Sequence, residues 1–161
     1  MAGIALIIEF EGFSAVPYYD VAGVPTIGYG TIKYASGRKV TMHDEPITKV
    51  DAKRELMSEV DEKCEKLRSE LQNARLVLDQ HEFDALCSFS YNLGSGPITR
   101  SDSTINRGIH SHNRDLICDG MMMYNKAKVR NKWGFRVLTE VRGLTRRRVA
   151  EVTMFKGDGD E

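Results

Sequence analysis

Apolar residues open the chain at Ile4, Leu6, Ile7, Ile8 and Phe10, and Gly12 supplies a stop, which predicts a short helix over 2–12. From 13 to 42 the pattern becomes irregular. Pro17, Gly23, Pro25, Gly28, Gly30 and Gly37 interrupt β-formers such as Val24, Thr26, Ile27, Tyr29, Ile32 and Val40. Thr26 to Tyr34, a turn at Ala35-Ser36-Gly37, and Lys39 to Thr41 predict a hairpin. Thr48 with Asp51 then forms a helix-start signature, and Leu56, Val60, Cys64, Leu67 and Leu71 recur at helical steps on an otherwise charged segment. Asp79 with Glu82 starts a further helix through Phe83, Leu86, Phe89 and Tyr91, ended by Asn92-Leu93-Gly94-Ser95-Gly96-Pro97. Later helices fall near 103–107, 113–124 and 144–155, so the rest of the chain reads as helical to the end. Residues 157–161 form an acidic, glycine-bearing tail that should fray.

The predicted class is α+β, one domain over 1–161 with two lobes. A β-containing lobe (13–47) is joined by a connecting helix (48–72) to a helical lobe (73–156), which also takes in helix 2–12. A cleft between lobes is the default place for a site. Neither an internal repeat nor an interdomain linker is visible.

Composition narrows the classes. A chain of 161 residues with 41% hydrophobic and 29% charged residues suits a globular domain that needs no staples. No run approaches the roughly 20 apolar residues of a membrane span. The apolar start is broken by Glu9 and Glu11 and lacks a basic leader, which predicts synthesis in a cytoplasm with export by another agent. Cys64, Cys87 and Cys118 show no metal spacing and read as buried reduced thiols; His110 and His112 read as a polar loop. Zero formal net charge argues against nucleic acid as a partner. Charge is nonetheless uneven: nine cations between Lys126 and Arg148 face only Glu140, as expected of a basic face for an anionic polymer or of a solvated surface. Met121-Met122-Met123 predicts soft packing in a buried helix.

Candidate chemistry clusters early. Glu11 ends an apolar helix, and Glu9 lies about 200° around that helix, so the two cannot share a face. Apolar neighbours and the negative end of a helix both disfavour an ionised carboxylate, a property that a general acid near neutral pH requires. Asp20 belongs to the turn Tyr19-Asp20-Val21-Ala22-Gly23 and should stay exposed and charged. Thr26 alternates with Gly28 and Gly30, which leaves room for something bulky against the strand. Two carboxyls in opposed environments beside a bare strand face suit glycosidic bond cleavage. On spacing alone, an ordinary surface Glu and a turn-forming Asp are the commoner explanation of this pattern.

The run Glu11-Gly12-Phe13 through Tyr18, Asp20, Gly23 and Thr26-Ile27-Gly28-Tyr29-Gly30 resembles the N-terminal signature of the phage lysozyme (endolysin) family, glycoside hydrolase family 24. The similarity continues in Gly37-Arg38-Lys39-Val40, Ile47-Thr48, Phe83 through Gly94, Ser103-Thr104-Ile105, Tyr124-Asn125-Lys126-Ala127 and Gly143 through Arg148, with Glu151 behind. The resemblance implies a two-lobed lysozyme fold and cleavage of the β-1,4 bond between N-acetylmuramic acid and N-acetylglucosamine in bacterial peptidoglycan. It makes Glu11 the general acid, Asp20 the carboxylate that supports or activates water, and Thr26 the hydroxyl that helps to hold it. Ile32, Tyr91 and Thr104 fall where sugar-contacting residues lie; for Tyr91, core packing is an equal alternative. The family uses no metal or cofactor. One of Arg146, Arg147 and Arg148 is expected to pair with Glu11 from the second lobe.

The resemblance also implies a monomer without stable membrane insertion, reaching the wall from the host cytoplasm through a holin-type partner, and inversion at the sugar. Thr31 stands where many relatives have His, and Tyr124 where Trp is usual. The segment 128–135, with the only tryptophan, Trp133, is longer than the common pattern. Two other classes remain open: a catalytically inactive peptidoglycan-binding relative, and a lytic transglycosylase. Asp20 and Thr26, both suited to handling water, favour hydrolysis over the latter.

Overall fold

The computed structural model describes residues 2–157, so the end of the predicted frayed tail lies outside the described residues. Helix α1 (Ala2–Glu11) buries Ile4, Leu6 and Ile7 and stops where Gly12 takes φ 71°. Its start is tied to the helical lobe, because the Gly3 amide donates to Asp84 Oδ2 at 3.1 Å.

Strand β1 (Ser14–Tyr19) runs antiparallel to β2 (Pro25–Gly28), pairing Ser14 with Gly28, Tyr18 with Thr26 and Tyr19 with Pro25 around an irregular register. This corrects the predicted hairpin. The partner of Thr26 lies upstream, and the stretch from Thr26 to Tyr34 is not one strand. Gly28 and Gly30 take φ 67° and 93°, which turns the backbone out of extended geometry. Only single bridges, Ile27–Thr31 and Lys33–Lys39, continue the pairing. Gly28 also lets the chain lie against the connecting helix, since a Cβ there would stand 3.0 Å from the Ala52 Cβ.

That helix, α2 (Lys49–Ala74), has 26 residues and is about 39 Å long at 1.5 Å per residue. Thr48 caps it by accepting from the Asp51 amide at 3.1 Å, and Arg75 ends it in the left-handed region at φ 55°. Ala52, Leu56, Val60, Cys64, Leu67 and Leu71 form its buried stripe, as the periodicity predicts. It packs on α3 (Gln80–Leu93), whose start carries the Asp79–Glu82 capping box. Helix α3 is central: apolar Ala85, Leu86, Cys87 and Phe89 and polar Glu82, Asp84, Ser88 and Ser90 are all buried. Burying so many polar groups requires partners from other elements.

Around α3 sit α4 (Gly96–Thr99), α5 (Thr104–His110), α6 (Arg114–Met122) and α7 (Arg142–Lys156). Between α6 and α7 the expectation of helix to the end fails. Residues Lys126–Arg130 (β3) and Arg136–Glu140 (β4) form a regular antiparallel ribbon. Lys-Ala-Lys-Val-Arg carries a two-residue period rather than a helical one, Arg136–Glu140 pairs with it residue for residue, and Gly134 at φ 83° makes the turn.

The cysteines are also corrected: Cys64 and Cys87 are joined as a disulfide between α2 and α3, with Cα atoms 5.6 Å apart. Cys118 is free, and burial pushes its thiol above the ordinary value. His110 ends α5 and bonds Glu70 at 2.6 Å, while His112 Nε2 lies 2.8 Å from the Ala74 carbonyl. Of the three methionines at 121–123, Met121 is fully buried and Met123 is exposed.

Candidate active site

Glu11 stands at the C-terminal end of α1, where Gly12 turns the chain into β1. Its side chain is about a quarter exposed, and Oε1 accepts from Arg147 Nη1 at 2.7 Å. The surroundings are thus not apolar alone. As the family resemblance implies, a cation from α7 reaches this carboxyl, and of the three candidate arginines it is Arg147.

Arg147 is only 4% exposed and is fixed at several points. Nε donates to Glu151 Oε1 at 3.2 Å, Nη2 to the Ser88 carbonyl at 3.4 Å, and the guanidinium lies 5.5 Å from the Phe10 ring centre. Glu151 is fully buried, accepts from the Ser88 hydroxyl at 2.8 Å, and meets Arg148 Nε at 2.9 Å. Arg148, also fully buried, donates to Asn92 Oδ1 at 3.0 Å and stacks over Phe89. Burial pushes the Glu151 carboxyl up, and Arg148 and Arg147 oppose that rise. One helix thus places Arg147, Arg148 and Glu151 at i, i+1 and i+4, and the cluster ties α3 and α7 to the end of α1.

Gly30 forms the floor beside Glu11. From the point where a Cβ would stand on Gly30, Glu11 Oε2 is 3.9 Å away and the Tyr91 hydroxyl 3.7 Å. Any other residue at Gly30 would fill this space. Tyr91 donates to the Tyr29 carbonyl at 3.4 Å, and Lys63 Nζ sits 4.2 Å from its ring centre while pairing with Glu59 at 2.8 Å. Burial, with the negative charges of Glu59 and Glu11, pushes the Tyr91 hydroxyl well above its ordinary value, so it remains a neutral hydrogen-bonding group.

Asp20 and Thr26 share the far end of the β1–β2 hairpin. Asp20 Oδ1 accepts from the amides of Ala22 at 2.8 Å and Val24 at 2.9 Å. Thr26 is buried and donates to the Val24 carbonyl at 2.9 Å, and the Asp20 amide donates to that same oxygen at 3.0 Å. The peptide groups of Val24 therefore hold both side chains in one local frame. Thr26 spends its only proton inside the hairpin, so its oxygen faces any further partner as an acceptor.

A cavity of about 670 Å³ opens between the β-lobe, α2 and the end of α3, lined among others by Ile32, Tyr34, Glu59, Lys63, Tyr91 and Asn92. Ile32 and Tyr91 thus both line it. Glu11, Asp20 and Thr26 do not line it, and Tyr91 connects it to Glu11. Thr104 is not brought there either: it heads α5 and its hydroxyl accepts from Arg107 Nη2 at 3.3 Å. Glu59 and Lys63 belong to no motif; only their place off the apolar stripe of α2 marks them. Among the described residues, no cluster of His, Cys, Asp and Glu has the makings of a metal site.

Similarity to known proteins agrees with this geometry. The family model for phage lysozyme matches residues 8–151. The endolysin of Salmonella phage P22 is 31% identical over 125 residues, covering 78% of this chain and 82% of the relative. Among solved structures, the endolysin from Escherichia coli O157:H7 phage FAHEc1 superposes with TM-score 0.81 at 31% identity, covering 99% of this chain and 93% of that one. The muramidase domain of SpmX from Asticaccaulis excentricus follows at TM-score 0.76 and 26% identity, covering 96% and 94%. By sequence and by fold, the chain belongs to the phage lysozyme family.

Proposed function

We propose that the chain is an endolysin acting as a muramidase, with Glu11 as general acid and Asp20 and Thr26 as the groups that handle water. The observation that carries this reading is the fixed carboxyl of Glu11, held by Arg147 beside the bare backbone of Gly30 at the edge of a cleft. In the proposed reaction Glu11 gives its proton to the glycosidic oxygen as the bond from that oxygen to the N-acetylmuramic acid C1 breaks. The carboxylate left behind is stabilised by the Arg147 cation 2.7 Å away. Water adds its oxygen to C1, hydrogen-bonded to the Thr26 oxygen, and its proton passes to the Asp20 carboxylate. Two backbone donors on Asp20 Oδ1 fix that carboxylate's direction.

Ile32 and Tyr91, which line the cavity, would contact the glycan strand; Thr104, outside that lining, has no place in this picture. The substrate is bacterial peptidoglycan, and the site is the cell wall. None of the described helices is long and apolar enough to cross a membrane. Release from the host cytoplasm would fall to a holin-type partner, and the enzyme would work as a monomer.

The test is digestion of purified peptidoglycan followed by mass spectrometry of the fragments. Hydrolysis predicts fragments that have each gained one water at a new reducing end. Fragments with 1,6-anhydro ends would make the chain a lytic transglycosylase, and intact glycan strands would make it a binding protein.

A further inference from the structure

The β3–β4 ribbon is absorbed neither by the cleft nor by the core. Its register pairs Lys126 with Glu140, Lys128 with Leu138 and Arg130 with Arg136 on one face, and Ala127 with Thr139 and Val129 with Val137 on the other. Only Glu140 balances four cations on the first face, and it is already engaged by the Thr145 hydroxyl at 2.9 Å. Arg130 directly opposite Arg136 is a like-charge pair, unfavourable in a ribbon without a counter-anion. Among the described residues nothing covers β4, which is exposed along its whole length.

The tip adds an apolar element. Asn131 Oδ1 accepts from the amides of Trp133 and Phe135, each at 3.0 Å, which fixes a turn that projects both rings. Trp133 is 69% exposed, Phe135 70% and Leu138 65%. Lys132 Nζ lies 4.4 Å from the Trp133 ring centre. Three large apolar side chains held out beside cations that have no ion-pair partner among the described residues form the kind of patch that marks an interaction surface.

We propose that this ribbon is a peripheral docking surface for an anionic phospholipid bilayer. The cations match headgroup phosphates, and Trp133 and Phe135 match the boundary between headgroups and acyl chains, where amphipathic aromatic rings settle. A glycan would need a concave site with free donors and acceptors, whereas this tip protrudes and spends the Asn131 oxygen on its own turn. The stem is anchored, because the Val141 amide donates to the Asn125 carbonyl at 2.9 Å. Docking therefore orients the catalytic body without inserting it.

Trp133 is the only tryptophan, so its emission reports directly on the tip. The full chain is mixed with vesicles of phosphatidylglycerol and phosphatidylcholine, or of phosphatidylcholine alone. The proposal predicts a blue shift and co-sedimentation with the anionic vesicles only, both weakened by added salt. The double variant Arg130→Ala/Arg136→Ala should lower the partition constant by roughly fivefold for each charge removed, while its hydrolysis of membrane-free peptidoglycan stays unchanged. Glu11→Gln should bind vesicles like the parent, so docking is read independently of catalysis. Absence of any shift with anionic vesicles overturns the proposal. So does an equal shift with neutral vesicles, undiminished vesicle binding by the arginine variant, or a Trp133 shift produced instead by soluble peptidoglycan fragments.

Discussion

Between Lys126 and Arg148 the chain carries nine cations against one anion, and the fold divides them in two. In the β3–β4 half the cations stand in solvent on a ribbon that touches little else. In α7, Arg147 and Arg148 are buried against Glu151, and one of them reaches across the molecule to Glu11. Residues of the same type a few positions apart thus take opposite parts. An exposed cation adds little to stability and acts outward on a partner, whereas a buried one is tied to its counter-charge and acts inward on the site. What separates them is periodicity: two residues per repeat leaves both ribbon faces open, while helical spacing brings Arg147 and Arg148 to the central helix.

The largest effect on stability should come from breaking the buried half. Glu151→Gln leaves Arg148 without its carboxylate, at an expected cost of about 3–5 kcal/mol, read from urea midpoints. A loss below about 1 kcal/mol would mean that the cluster does not hold the lobe together. Arg147→Met should cost somewhat less stability, on the order of 2–4 kcal/mol, because Arg148 still pairs with Glu151. It should also lower turnover at least tenfold, since Glu11 loses the cation that positions it. Unchanged turnover in that variant would remove Arg147 from the site.

The Arg114–Glu82 pair is intermediate. Glu82 is buried and Arg114 is half-exposed. Burial alone would raise the Glu82 carboxyl, but Arg114 and the Asp79 amide outweigh it and hold it below the ordinary value. A depressed carboxylate stabilises the fold above its unfolded value, near pH 4.3, and loses that contribution as pH falls through the folded value. Arg114→Ala should therefore cost about 1 kcal/mol at pH 7, and the gap to the parent should close below about pH 4. A gap that widened on acidification would contradict this assignment. The smallest effect belongs to the ribbon: Lys128→Ala should change stability by no more than about 0.5 kcal/mol. A larger loss would show that the exposed half is not mechanically separate.

Much of this was legible beforehand, for physical reasons that differ by region. The stripe on α2 and both helix starts were readable because periodicity and capping are local, and Thr48–Asp51 and Asp79–Glu82 carry their own hydrogen bonds. The hairpin was misplaced because strand pairing is not local. Ser14–Tyr19 has no strong β pattern, and Pro25 to Gly28 selects it as a partner only once the glycines break the continuation. The β3–β4 ribbon was hidden by its charge, which resembles a solvated helix until the alternation of Lys126–Arg130 is counted, and Arg136–Glu140 has no such alternation to reveal it. Within the candidate site, Glu11, Asp20 and Thr26 stood out as two carboxyls and a hydroxyl beside a glycine-bearing strand, and the family resemblance assigned them roles. That resemblance pointed to three possible partners for Glu11, but only the phase of α7 against α3 selects Arg147. The Cys64–Cys87 pairing depends on how α2 and α3 pack, which the spacing of the cysteines does not encode.

The most direct test of the central claim is the initial rate of purified Glu11→Gln on purified peptidoglycan, beside the parent and at matched thermal stability. Loss of the proton donor predicts a rate lower by roughly 10² to 10⁴. A folded Glu11→Gln protein that cleaves the glycan at near-parental rate would contradict it.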